Sequence, residues 1–149
     1  MKRQQLRQWS TLSVAGVFAA GVLVTAGAWA VLSPRAHGDE AAKAHPVFAG
    51  KLPNVPGQTI TAVVVSYAPG GKSPPHFHAG SVLAYVLSGA IRSENSATGP
   101  VKVYQTGEAF FEPAGSEHLV SENASTTEPA SLLAIFVADD GAQLTRPAK

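Results

Sequence analysis

Two histidines separated by a single residue constrain this chain more than any other feature. His76 and His78 follow a Pro-Pro pair and precede an apolar, β-prone run. Side chains alternate between the two faces of a strand, so both imidazoles point to one side and Phe77 points to the other. Two imidazoles at this spacing can bind one metal ion, and His118 is a third candidate ligand. The sequence therefore predicts a metal site carried by β-strands.

Residues 59–138 follow a β pattern. Turn residues at regular intervals separate short β-prone runs at 59–67, 81–87, 90–94, 101–104, 109–111, 118–121 and 131–138. None of these runs has helical periodicity with caps. Many short strands with regular turns predict an all-β sandwich or barrel. We expect residues 139–149 to form a flexible tail.

Two stretches resemble the two motifs of the cupin superfamily. The first family motif has a glycine, the HxH pair, a glutamate and a second glycine at fixed spacing. Matching positions here are Gly70, His76, His78 and Gly89, whereas the glutamate position holds Val82. The second family motif has a glycine, a proline, a glycine, a histidine and an asparagine. Matching positions are Gly107, Pro113, Gly115 and His118, and the asparagine comes one residue late, at Asn123.

The resemblance implies a single small jelly-roll barrel with its site in the mouth, and a divalent metal ion bound by His76, His78 and His118. With Val82 in place of the glutamate, three neutral ligands would leave the full divalent charge and open positions on the metal. This resembles the three-histidine cupins, such as cysteine-dioxygenase-like and diketone-cleaving enzymes. Iron(II) is favoured, and manganese, zinc, nickel or copper also suit imidazole ligands. The alternative is a degenerate cupin that has lost tight metal binding.

Other side chains near these motifs could serve the site. Glu112 could orient a metal-bound water or accept a proton beside the metal, or it could be a solvated strand end, which the sequence favours. Val82 and Phe110 are predicted to line a substrate pocket. Phe110, with Phe77, Tyr85 and Phe111, is otherwise expected to pack in the core.

Three functions are consistent with these residues. The leading one is a metal-dependent oxygenase acting on a small organic molecule. The second is a non-catalytic module that binds or senses a small molecule. The third is an isomerase or epimerase, which needs an acid–base pair that only Glu112 with Tyr85 or Tyr104 could supply. The net charge of +1 and the lack of a basic patch give no indication of nucleic-acid binding.

The first 30 residues predict a targeting helix. Lys2, Arg3 and Arg7 form a basic start, and residues 8–34 carry no charge. This segment is either a cleaved signal peptide, with Ala28-Trp29-Ala30 as the cleavage site, or an uncleaved membrane anchor. Either alternative predicts export to the periplasm or the extracellular space, and the absence of cysteine is compatible with both.

Residues 31–58 read as a linker with a short edge strand at 47–49. His37 and His45 in this segment are expected to be solvated rather than metal ligands. Because cupins commonly dimerise, the resemblance suggests a homodimer, in which the 47–48 segment could add to the partner's sheet.

Overall fold

A computed structural model describes residues 42–149, and every regular element in this range is a β-strand. The strands are β1 Lys43–Lys51, β2 Gln58–Tyr67, β3 Lys72–Ser73, β4 His76–His78, β5 Ser81–Ser88, β6 Ala90–Asn95, β7 Gly99–Gln105, β8 Ala109–Glu112, β9 Glu117–Asn123, β10 Ala130–Asp139 and β11 Thr145–Pro147. The predicted targeting helix at residues 1–30 lies outside the described residues. Within 42–149, no helix has the length and apolar character needed to cross a membrane.

The strands form two antiparallel sheets. One sheet has the order β1-β2-β10-β5-β8, and the other has the order β11-β4-β9-β6-β7, with β3 also paired to β9. Neighbouring strands are therefore often distant in the sequence, as when β2 pairs with β10. This arrangement confirms the predicted all-β, cupin-like barrel or sandwich.

Alternation along the strands creates the core between the sheets. On β5, Val82, Ala84 and Val86 are buried, whereas the intervening residues Leu83 and Tyr85 are exposed on the opposite face. A one-residue slip would expose the whole apolar set, so burial fixes the register of this strand. The prediction that Tyr85 packs in the core was wrong, and so was the same prediction for Phe111 on β8, which is also exposed.

Two segments predicted to be irregular belong to the sheets. Within the predicted linker, β1 pairs with β2 from Lys43 to Lys51, so the edge strand is longer than expected. Within the predicted flexible tail, β11 pairs with β4, with Thr145 opposite His78. Both segments lack strong apolar alternation, so neither was recognised as a full strand from its residues. They cover the hydrogen-bonding edges of β2 and β4, which the core strands leave open.

Glycines bracket the stretch that contains the histidine pair. Gly70 has φ 71° and Gly89 has φ 69°, a conformation that residues with a Cβ rarely adopt. At Gly89 a Cβ would also lie 2.7 Å from the carbonyl oxygen of Pro129. These two turns therefore explain why glycine occupies both positions of the first motif.

Candidate metal centre

The short strand β4 carries the histidine pair between two partner strands. β9 pairs with one edge of β4, placing His118 directly opposite His76, and β11 pairs with the other edge. Directly opposed residues of antiparallel strands project to the same face, and His78 follows two residues after His76 on that face. The three predicted ligands are thus brought together, with nitrogen atoms that lie within 4.8 Å of one another.

Backbone carbonyl groups fix the orientation of two of these rings. Nδ1 of His76 lies 2.7 Å from the carbonyl oxygen of Pro74, and Nδ1 of His78 lies 3.2 Å from that of Leu144. A carbonyl oxygen only accepts hydrogen bonds, so each Nδ1 carries the proton and donates it. In the neutral rings, Nε2 then carries no proton and has a free lone pair.

These two lone pairs face each other. Nε2 of His76 and Nε2 of His78 are 3.2 Å apart, and no proton remains to join them when both rings are neutral. Two metal–nitrogen bonds of about 2.1 Å, meeting at about 100°, would place two nitrogen atoms about 3.2 Å apart. The pair therefore fits a divalent cation between the rings, and carbonyl acceptors on the far nitrogens are the usual partners of metal-binding histidines.

The third ring, His118, is held between two polar side chains. Its Nε2 lies 2.9 Å from the hydroxyl oxygen of Ser93, and its Nδ1 lies 3.0 Å from a carboxylate oxygen of Glu112. Its ring centroid is 5.0 Å from that of His76 and 6.2 Å from that of His78. The cluster is thus compact enough for one ion.

Burial keeps the two inner rings neutral at pH 7. Desolvation, reinforced by the charge of His76, lowers the pKa of His78 to about 4. Desolvation, followed by the charges of His76 and His78, lowers the pKa of His118 to about 3. Metal binding requires neutral imidazole. Both rings are already neutral at pH 7, so neither has to release a proton before it binds an ion.

Glu112 is buried, with 3% of its surface exposed, so the favoured prediction of a solvated strand end was wrong. It ends β8 and faces the cluster from the five-stranded sheet. One carboxylate oxygen lies 3.7 Å from Nε2 of His78, and the Asn95 side-chain amide donates to the same oxygen at 3.3 Å. Burial raises the pKa of Glu112 to about 7, against the lowering effect of Asn95.

The cluster opens onto a cavity of about 520 Å³ between the sheets. Glu112 and the three histidines line one part of it. The other walls are mainly apolar and include Val63, Val65, Val82, Leu132, Ala134 and Phe136. A cavity of this size and character suits a small organic ligand.

Of the two residues predicted to line the pocket, one lines the cavity and the other does not. Val82 lines the cavity, whereas Phe110 does not and instead packs 6.1 Å from the His118 ring, between centroids. Phe136 takes the place expected of Phe110, with its ring 5.1 Å from that of His78. Tyr85 and Tyr104 do not line the cavity either, which leaves Glu112 without the tyrosine partner that an isomerase was expected to use.

Sequence reasoning missed several polar residues of the site. Tyr67 lines the cavity, and its hydroxyl lies 2.7 Å from that of Ser121, which lines it too. Ser93 and Asn95 support His118 and Glu112 from β6. Strand alternation within β6 could have indicated that Ser93 and Asn95 share the face of Ile91, but no motif singled them out.

Comparisons with known proteins agree with this fold. The Cupin domain family matches residues 63–136. A germin-like protein of Arabidopsis thaliana, subfamily 2 member 2, is 32% identical over 90 residues, which are 58% of this chain and 40% of that protein. The chain spans less than half the length of the curated relatives it matches.

Solved structures share the same fold. A conserved protein of Klebsiella pneumoniae with a double-stranded β-helix domain superposes with a TM-score of 0.57 at 19% identity, covering 75% of this chain and 88% of that one. A variant of Bacillus subtilis oxalate decarboxylase superposes with a TM-score of 0.50 at 29% identity, covering 56% of this chain and 22% of that one. With both motifs, the fold and these relatives in agreement, the chain belongs to the cupin superfamily.

Proposed function

We propose that this protein is a metal-dependent oxygenase that acts on a small organic molecule in the cavity between its sheets. The observation that carries the proposal is the pair of unprotonated Nε2 atoms of His76 and His78, 3.2 Å apart, at the wall of an apolar cavity. Such a pair is unfavourable without a cation and well suited to one. The family resemblance to three-histidine cupins supports the choice of reaction.

The residues of the chain would hold the metal and prepare the cavity. His76, His78 and His118 would bind the ion, with iron(II) favoured and manganese, zinc, nickel or copper as alternatives. When bound, a redox-active ion supplies the one-electron chemistry that reactions with O₂ require. Val82 and Phe136 would exclude water from the reacting groups and seat the substrate against the histidines.

The walls of the cavity also limit the class of substrate. Among the residues that the structure describes, no lysine or arginine lines it, and Glu112 adds an acidic group. A small dianion would therefore meet no lysine or arginine there, and the metal would have to supply the opposite charge. We expect instead a largely apolar compound that carries one chelating group, such as a diketone.

A non-catalytic binding or sensing module is the second candidate. The observation that favours it is the cavity itself, since about 520 Å³ of mainly apolar space could bind a small molecule without any reaction. For the isomerase alternative, Tyr85 and Tyr104 do not line the cavity, and Tyr67 is the tyrosine that lines it together with Glu112.

Metal content and O₂ uptake test the proposal together. Wild-type protein reconstituted anaerobically with Fe²⁺ should hold about one equivalent, and His76→Ala, His78→Ala and His118→Ala should each lose most of it. Full metal content in all three variants would overturn the metal site. O₂ consumption should appear with apolar chelating compounds and not with oxalate. Metal binding without O₂ uptake, combined with ligand-induced stabilisation, would favour the binding module instead.

We also propose that the chain is exported and acts in the periplasm or outside the cell, either free or tethered by residues 8–34. The basic start and the uncharged stretch that follows it support this localisation.

A further inference from the structure

We propose that Glu112 replaces the missing glutamate of the first cupin motif, so that the carboxylate ligand of the metal comes from β8 instead of β5. The inference rests on the metal binding proposed above. It changes the expected site from three neutral ligands to three imidazoles and one carboxylate.

Strand register places the two positions side by side. Val82, at the family's glutamate position, is paired directly with Glu112 across β5 and β8. Directly opposed residues of antiparallel strands have Cβ atoms about 4.5–5.5 Å apart on the same face. Both side chains are buried and both line the cavity, with 1% of Val82 and 3% of Glu112 exposed. A carboxylate from either position therefore enters the same space.

The distances around Glu112 are those of ligands sharing one ion. Its Oε2 atom lies 3.0 Å from Nδ1 of His118 and 3.7 Å from Nε2 of His78. Two bonds of about 2.1 Å give separations of about 3.0 Å at 90° and about 3.6 Å at 120°. The spacing of 3.2 Å between the Nε2 atoms of His76 and His78 falls in the same range.

The side chains that the structure describes around Glu112 do not include a cationic partner for its carboxylate. Its carboxylate contacts the imidazoles of His78 and His118, which are neutral at pH 7, and among residues 42–149 no lysine or arginine lines the cavity. A buried carboxylate is costly unless it is paired or coordinates a metal. An ion held by the three histidines would supply that partner, while Asn95 orients the carboxylate by donating its amide hydrogen.

A carboxylate ligand has consequences for the proposed reaction. It lowers the net charge of a divalent site by one and occupies one coordination position. An octahedral ion would keep two open positions, enough for either a chelating substrate or a monodentate substrate beside a second ligand. Val82, whose aliphatic side chain cannot coordinate, then forms an apolar wall beside these positions.

Exchanging the side chains of positions 82 and 112 tests whether the carboxylate ligand comes from β8 instead of β5. We would measure Mn²⁺ affinity by electron paramagnetic resonance titration for wild type, Glu112→Gln, Glu112→Val and the double variant Val82→Glu/Glu112→Val. Glu117→Gln is the matched control, since Glu117 adjoins His118 but lies on the opposite face of β9. Circular dichroism would establish that each protein is folded, and Glu112→Gln, being nearly isosteric, covers the case in which Glu112→Val does not fold.

The expected result is a loss of Mn²⁺ affinity in both single variants of Glu112 that exceeds the roughly 10- to 100-fold cost of removing an outer-shell partner, with no loss in the control. The double variant should recover affinity to within a few-fold of wild type, because its carboxylate starts from the opposed position. Unchanged affinity in Glu112→Gln would overturn the inference while leaving the proposed function intact. Loss without recovery in the folded double variant would also overturn it, making Glu112 a positioning residue. Failure of wild type to bind Mn²⁺, Fe²⁺ or Zn²⁺ would refute the proposed function itself.

Discussion

Replacing Glu112 with glutamine should steepen the loss of stability that metal-free protein suffers in mild acid. The prediction follows from three buried groups whose pKa values do not all shift in the same direction on folding. The pKa of His78 falls from 6.5 to about 4 on folding and that of His118 falls from 6.5 to about 3, mainly through desolvation. Desolvation instead raises the pKa of Glu112 from 4.5 to about 7.

The signs of the two contributions differ. Because the folded pKa of each histidine is depressed, the unfolded chain binds more protons below pH 6.5, and stability is lost as the pH falls toward 4. Because the folded pKa of Glu112 is raised, its contribution is fully present below pH 4.5 and is lost as the pH rises toward 7. Between pH 5 and 6, two histidines therefore oppose one carboxyl group.

The magnitude follows from counting these protons. One proton of difference between the unfolded and folded states changes the free energy of unfolding by about 1.4 kcal/mol per pH unit. Near pH 5.5 the wild type has a net difference of roughly one proton, so it should lose about 1 kcal/mol per pH unit. Glu112→Gln removes the opposing group and should lose about twice as much.

Urea unfolding with a chelator present, at several pH values from 5 to 6.5, measures both slopes. The comparison uses the change with pH in each protein, so a constant stability difference between the variants does not affect it. Exposed groups such as Asp140, which is common to both proteins, also cancel. Equal slopes in the two proteins, or a wild type that gains stability as the pH falls through this window, would refute the reasoning.

Three further predictions concern the rest of the chain. Gly80→Ala should destabilise the protein by roughly 3 kcal/mol, because its Cβ would lie 2.0 Å from the carbonyl oxygen of Val137; thermal melts should show a smaller effect for Gly50→Ala, whose Cβ would approach only the exposed side chain of Phe48. N-terminal sequencing of exported protein should begin after Ala30, whereas an intact Met1 in the membrane fraction would select the anchor. Light scattering at micromolar concentration should give the mass of a dimer, since β1, an edge strand of the five-stranded sheet, exposes Val47 and Phe48. A monomeric mass would contradict dimerisation.

Local patterns in the sequence were enough to predict the β architecture and the first two metal-ligand candidates. Alternation and turn residues predicted most strands of the core, because both reflect interactions within a few residues of the chain. The spacing of His76 and His78 indicated a shared face for the same reason. The resemblance of the second motif then added His118, which the structure places opposite His76.

Only the tertiary structure decided the role that Glu112 could have. Its contacts depend on the register between β5 and β8 and on the packing of one sheet against the other, neither of which appears in local sequence. The same holds for Leu144, whose carbonyl oxygen accepts from His78 although 66 positions separate them. Long-range pairing of this kind satisfies backbone groups and buried charges that local patterns leave without a partner, so it is visible only once the strands are assembled.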